Sequence, residues 1–287
     1  MKKPLLERSP KTSFMLLRIL PVVLLLEIAH SMALGAPGQA VTAGHAGSDA
    51  PVKAVAPVKA PTFTDTFSGG TLDASKWFVD TGRAPGNIAE VNSGTLSAEH
   101  VDLSTGMLRL TLHQSVSGGL ATSVGAEIRS KQLFGYGTYA WVARAASTSD
   151  TPNGAGSAVS GSVTDVFNFI NNSESEIDFE YQGQSPATLE MTNFSTVSKS
   201  QSTTTPVAGA DRGFREYKYV WSAEKIEFYV DGTLVSTHTE HIPSAPAAAM
   251  INLWGTNSSS FGGVATDGVT RYLYVSSFSY TPLPQTK

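Results

Sequence analysis

The 287-residue chain has no cysteine. That excludes disulfides, thiolate metal sites, a cysteine nucleophile and lipid attachment through a thiol. Charge is also scarce: charged residues make up 15% and the formal net charge is −4. Such a balance describes an ordinary soluble globular protein, not a nucleic-acid binder. No window carries a helical period longer than two turns. The chain also lacks a G-x-S-x-G elbow and a G-x-x-x-x-G-K phosphate loop. Gly135-Tyr136-Gly137 has no third glycine leading into a helix, so it is no dinucleotide fingerprint. Histidines number six and are scattered, with His238 and His241 the one close pair. Metal ligands come in sets of three or four, so this pair is expected on the solvent face and no metal site is expected. The best apolar run, Phe14 to Leu26, is broken by Arg18 and Pro21 and falls short of the ~20 residues that span a bilayer.

Lys2, Lys3, Arg8 and Lys11 precede that run, and the small residues Ser31, Ala33, Gly35 and Ala36 follow it. This order predicts a secretory signal over residues 1–36, hence an extracellular or periplasmic protein free of the membrane after cleavage. Residues 37–61 are Ala, Pro, Gly and Val with scattered Lys and no hydrophobic period, which predicts a disordered spacer. From Thr62 the texture changes. Leu108, Leu110 and Leu112 alternate with Arg109, Thr111 and His113, and Glu127 and Arg129 share a face of another alternating run. Lys225 to His238, centred on Asp231-Gly232, reads as a hairpin with a type I′ turn. Many short strands joined by Gly, Ser and Thr loops predict an all-β sandwich or barrel over residues 62–283, with a short tail at 284–287.

One strand stands out: Ser175-Glu176-Ile177-Asp178-Phe179-Glu180-Tyr181. Its period of two puts Glu176, Asp178 and Glu180 on one face and the apolar residues on the other. Three neighbouring carboxyls repel unless a proton is shared or a ligand engaged. Residues four apart have Cα atoms roughly 13 Å apart at about 3.3 Å per residue. Side chains of about 3.5 Å leaning together leave a gap near 6 Å, close to the roughly 5–5.5 Å of a retaining glycosidase. A solvated, charge-protected edge strand is the alternative on this motif alone.

The flanking residues narrow the choice. Glu176-Ile-Asp-Phe-Glu180 resembles the E-[aliphatic]-D-[apolar]-E signature of glycoside hydrolase family 16. Phe134-Gly-Tyr-Gly-Thr-Tyr139, Ala126-Glu-Ile-Arg129, Phe228-Tyr-Val-Asp-Gly232 and Met250-Ile-Asn-Leu-Trp254 resemble further runs of that family, in the same order. The resemblance covers about Thr62 to Pro282. It implies a concanavalin A-like β-jelly-roll of two packed antiparallel sheets with a concave glycan cleft. It further implies a monomeric endo-β-glucanase that cuts β-1,3-1,4- or β-1,3-linked polysaccharide by double displacement, without a cofactor. In that scheme Glu176 is the nucleophile, Glu180 the general acid/base, and Asp178 a hydrogen-bond partner of the nucleophile. Phe167, Phe169, Phe194 and Trp254 would stack on sugar rings and Asn252 would bond a hydroxyl. Glu127 would also line the cleft, and Arg129 would clamp substrate or pair with Glu127. A polysaccharide transglycosylase or a non-catalytic lectin-like module on the same frame are the alternatives.

Departures from the pattern bear on the substrate. No extra residue separates Asp178 from Glu180, which is closer to lichenases and xyloglucan-modifying enzymes than to typical laminarinases. Glu174 replaces a tryptophan common in lichenases, and Thr192 stands where an asparagine is expected, unless a one-residue slip brings in Asn193. Leu273 occupies the position from which many members bind a structural calcium.

Overall fold

The computed structural model describes residues 62–171 and 173–284; the expected signal, spacer and most of the tail lie outside them. Its strands in chain order are β1 (Phe63–Asp65), β2 (Trp77–Asp80), β3 (Gly82–Arg83), β4 (Asn92–Leu96), β5 (Val101–Asp102) and β6 (Leu108–Ser117). Then come β7 (Leu120–Phe134), β8 (Gly137–Ser147), β9 (Ser162–Ile170), β10 (Ser175–Gln182), β11 (Thr188–Thr196) and β12 (Lys199–Pro206). The last are β13 (Arg215–Trp221), β14 (Ile226–Val230), β15 (Thr233–His238), β16 (Ala247–Gly255) and β17 (Thr270–Pro282). Among the described residues the only helical element is a 3₁₀ turn at Ala98–His100.

One sheet runs β2–β7–β16–β9–β10–β11–β12 with every neighbour antiparallel. The other runs β15–β14–β13–β8–β17, with β6 and β1 side by side on the far edge of β17. Both sheets contain β7. Up to Gly125 it pairs with β6 and β4, and from Ala126 onward with β16. Glycine is required at this crossing, because a Cβ on Gly125 would come within 2.2 Å of the Leu253 carbonyl oxygen.

The sheets pack through the apolar half of each alternation. Leu108, Leu110 and Leu112 are buried, as are Ile177, Phe179 and Tyr181. Phe179 of β10 lies among Tyr217, Tyr219 and Phe228 of the opposing sheet, at ring-centroid distances of 5.6, 6.1 and 5.3 Å. Burying one such side chain contributes about 1.5–3 kcal/mol. The core thus fixes which face of β10 the acids occupy, since a one-residue slip would exchange them with Phe179.

The expected hairpin forms between β14 and β15, with φ of 49° at Asp231 and 77° at Gly232, the type I′ signature. His238 is the exception to expectation. It is 0% exposed instead of solvent-facing. A register shift at Phe228/Tyr229 changes the parity of β15 and turns the imidazole inward. There Nδ1 meets Asn193 Oδ1 at 2.6 Å and Nε2 meets Thr203 Oγ1 at 2.8 Å, while burial pulls its pKa to about 4. His241 remains exposed. Asn193 therefore points into the protein, where it also donates to the carbonyls of Glu240 and His241, and Thr192 faces outward. Leu273 is part of the core.

Candidate active site

Strand β10 pairs without a register break to β9 over Ser175–Gln182 and to β11 over Glu176–Tyr181. Partners in register present side chains to the same face, with strands about 4.8 Å apart. The outer face of the β2-to-β12 sheet can therefore be read in rows. The first row is Asp80, Glu127, Asn252, Asp165, Glu180 and Glu190, from β2 to β11. The second is Phe78, Arg129, Met250, Phe167, Asp178 and Thr192. The third contains Ala248, Phe169, Glu176 and Phe194. All the residues expected to line a site lie on this face: Glu176, Asp178, Glu180, Glu127, Arg129, Phe167, Phe169, Phe194, Asn252 and, one step beyond the first row, Trp254.

Their contacts differ from expectation in several places. Arg129 does not pair with Glu127. It donates to both oxygens of Asp80, from Nε at 2.9 Å and from Nη2 at 3.0 Å, and lies over the Phe78 ring. Glu127 instead accepts from Asn252 Nδ2 at 3.0 Å. Asn252 is 2% exposed, so it supports Glu127 from within the floor of the face. Trp254 is 8% exposed, stacked on Phe261 at 5.9 Å, and donates its Nε1–H to Asp165 Oδ2 at 3.0 Å. Its ring is wall more than platform: a Cβ on Gly86 would lie 2.7 Å from it. Phe167 is buried with Ala248 and Met250, whereas Phe169 and Phe194 stay partly open beside Glu176. Phe78, 43% exposed, is an additional ring on the face, flanked by Arg129 and Lys131.

Three acids of the first row were not anticipated: Asp80, Asp165 and Glu190. The signal was present as parity. Asp165 is two residues before Phe167, Asp80 two after Phe78, and Glu190 two before Thr192, so each shares its neighbour's face. Glu190 accepts from Ser202 Oγ at 2.9 Å and from Gln182 Nε2 at 3.2 Å.

Burial dominates the acid–base behaviour of this face. It raises Glu127 and Glu176 to about 7 and Asp165 to about 8. Burial again leads for Asp178, which rises well above the carboxylate range with help from the charge of Glu176. Glu180 rises well above it too, through burial and then the charges of Asp165 and Glu190. A hydrogen bond from Ser173 lowers Glu176 and partly offsets its burial. All three carboxyls of β10 are thus pushed towards the protonated form, and Glu176 is the one whose rise a hydrogen bond offsets. Glu176 and Glu180 also leave part of their surface open, within reach of a ligand.

These shifts have a sign for stability. A carboxyl raised in the folded state binds a proton that the unfolded chain has lost, so stability falls as pH rises from the unfolded value through the folded one. For Glu127 that window runs from its ordinary 4.5 to about 7. Glu127→Gln should raise the thermal midpoint at pH 8 more than at pH 4.5 by a few degrees, the scale of roughly 1 kcal/mol in a domain this size. Calorimetry at the two pH values checks this; an equal shift at both would contradict it.

The family model for glycosyl hydrolases family 16 matches residues 89–269. The endo-1,3-1,4-beta-glycanase ExoK of Rhizobium meliloti is 31% identical over 203 residues, covering 68% of this chain and 69% of that protein. A beta-glucanase of Acetivibrio thermocellus is 29% identical over 197 residues, which span 67% of this chain and 54% of that protein. Among solved structures, a beta-glucanase of Bacillus licheniformis superposes with a TM-score of 0.65 at 25% identity, covering 77% of this chain and 98% of that one.

Proposed function

The chain belongs to the glycosyl hydrolases of family 16, and from that premise we propose that it is a secreted, retaining endo-β-glucanase acting on β-1,3-1,4- or β-1,3-linked polysaccharide. The observation that carries this reading is geometric: Glu176 and Glu180 stand four residues apart on the outward face of an unbroken β10, with Asp178 between them. Glu176 attacks the anomeric carbon, and Glu180, whose carboxyl is pushed towards the protonated form by burial and by the charges of Asp165 and Glu190, donates its proton to the leaving oxygen. Bond breaking leaves a glycosyl ester on Glu176. The ionised Glu180 then takes a proton from water, whose oxygen displaces Glu176 from the anomeric carbon. Asp178, pushed towards its protonated form on the same face between them, is the group placed to donate to Glu176 and steady its charge.

The uninterrupted register of β10 and the 31% identity to an endo-1,3-1,4-beta-glycanase favour mixed-linkage glucan. Phe169, Phe194 and Phe78 are the rings open enough to meet sugar faces. The expected signal at residues 1–36 supports export.

Product analysis on lichenan, laminarin, xyloglucan, agar and carrageenan tests the reading. We expect oligosaccharides from lichenan or laminarin, with new reducing ends appearing first as the β-anomer by proton NMR. Ends appearing first as α would overturn retention. Binding without new reducing ends would overturn hydrolysis in favour of a lectin-like module, and products longer than the substrate would favour transglycosylation.

A further inference from the structure

Asp165 has no part in the mechanism above, yet its placement is unusual. It is the direct cross-strand partner of Glu180. Its Oδ2 is taken by the Trp254 indole, and its carboxyl lies beside that of Glu180 across the strand pair. Asp165 Oδ1 and Glu180 Oε1 are both buried and, among the described residues, have no hydrogen-bond partner. A buried carboxylate oxygen without a donor is unfavourable, and two of them side by side cannot both be bare and charged. A proton held between them resolves both problems.

We propose that Asp165 is a positioning residue for Glu180, the two carboxyls forming a dyad that shares one proton and aims it at the leaving oxygen. The proposal rests on the glycosidase reading of Glu180. Trp254 anchors Oδ2, which leaves Oδ1 buried and free to share a proton with Glu180 across the strand pair. During glycosylation the shared proton passes to the leaving oxygen, whose bond to the anomeric carbon breaks with its electron pair. Two adjacent carboxylates remain. Their repulsion makes Glu180 a stronger base towards the incoming water, whose proton restores the dyad as its oxygen bonds carbon and Glu176 departs.

Every titratable group facing the pair pushes the same way. Glu176 and Asp178 are on its own strand, Glu190 is on β11, and Glu127 lies beyond Asn252 on β7. The neighbours from β16, Asn252 and Trp254, are neutral, and Arg129 in the next row is held by Asp80.

The experiment is the pH profile of kcat/KM on the cleaved glucan for wild type, Asp165→Asn and Asp165→Ser. Asparagine keeps an acceptor for Trp254 but offers Glu180 an N–H, which favours its ionised form; serine removes the like charge. Both variants should move the alkaline limb at least one pH unit to the acid side. Activity at pH 8 relative to that at the optimum should then fall about tenfold or more for each unit. On an aryl β-glucoside whose leaving group needs no proton, kcat/KM of the variants should match wild type. A uniform loss at every pH, or an unmoved limb in both folded variants, overturns the proposal. Glu180→Gln run beside them separates the outcomes: if it too leaves glucan cleavage intact, the assignment of Glu180 fails instead.

Discussion

Glu176→Gln should lower glucan turnover at least about 10⁴-fold, because an amide of the same shape cannot attack the anomeric carbon. The loss should fall on kcat/KM and on kcat alike, as the missing bond exists only past the ground state. Folding should survive, since glutamine resembles the protonated acid and removes a carboxyl that burial raises to about 7. A sharper form uses Glu176→Ala with formate. The small anion can enter where the carboxyl was and attack from the same side, giving an α-glycosyl product that hydrolysis by the native protein never releases. Retention of more than a tenth of wild-type glucan cleavage by either variant would remove Glu176 from the role.

Glu180→Gln should cost about 10²–10⁴-fold on glucan, the usual worth of a positioned general acid. Its signature is selectivity for the leaving group. With a dinitrophenyl leaving group the first step needs no proton, so the ester on Glu176 should form at near-normal rate. It should then accumulate, because no base remains to activate water, and azide should relieve the block and yield a β-glycosyl azide. Mass spectrometry of the intact protein would detect the trapped adduct on the peptide containing Glu176. If glucan and the activated glycoside lose equally, Glu180 is not the acid.

Much of this site could be read from alternation alone. Period-two spacing put Glu176, Asp178 and Glu180 on one face and Ile177, Phe179 and Tyr181 in the core, where they lie. Asp231-Gly232 specified its turn because few residues tolerate two consecutive positive φ values. What alternation could not supply was the neighbour across the strand. Asp165 is 15 positions from Glu180 in sequence, and register alone makes them partners. The same limit explains Arg129, whose ion-pair partner Asp80 comes from a strand 49 residues earlier. Trp254 has the right parity for a sugar platform, but Phe261, from the loop after β16, covers it. His238 was misplaced for a local reason: one register shift in β15 inverts the faces that follow.

The position of β17 has a consequence for how the protein comes to be folded. This strand, the last of the described residues, lies inside its sheet, between β8 on one edge and β6 with β1 on the other. A chain emerging from the ribosome can form neither neighbour's ladder fully until residue 282 is available. Both β6 and β8 would meanwhile present bare edges. Pairing β1 with β17 also closes a loop of more than two hundred residues, from Phe63 to Tyr280. Such distant pairings are formed slowly. The sheet that backs the carboxylate face is therefore completed only once β17 has been made.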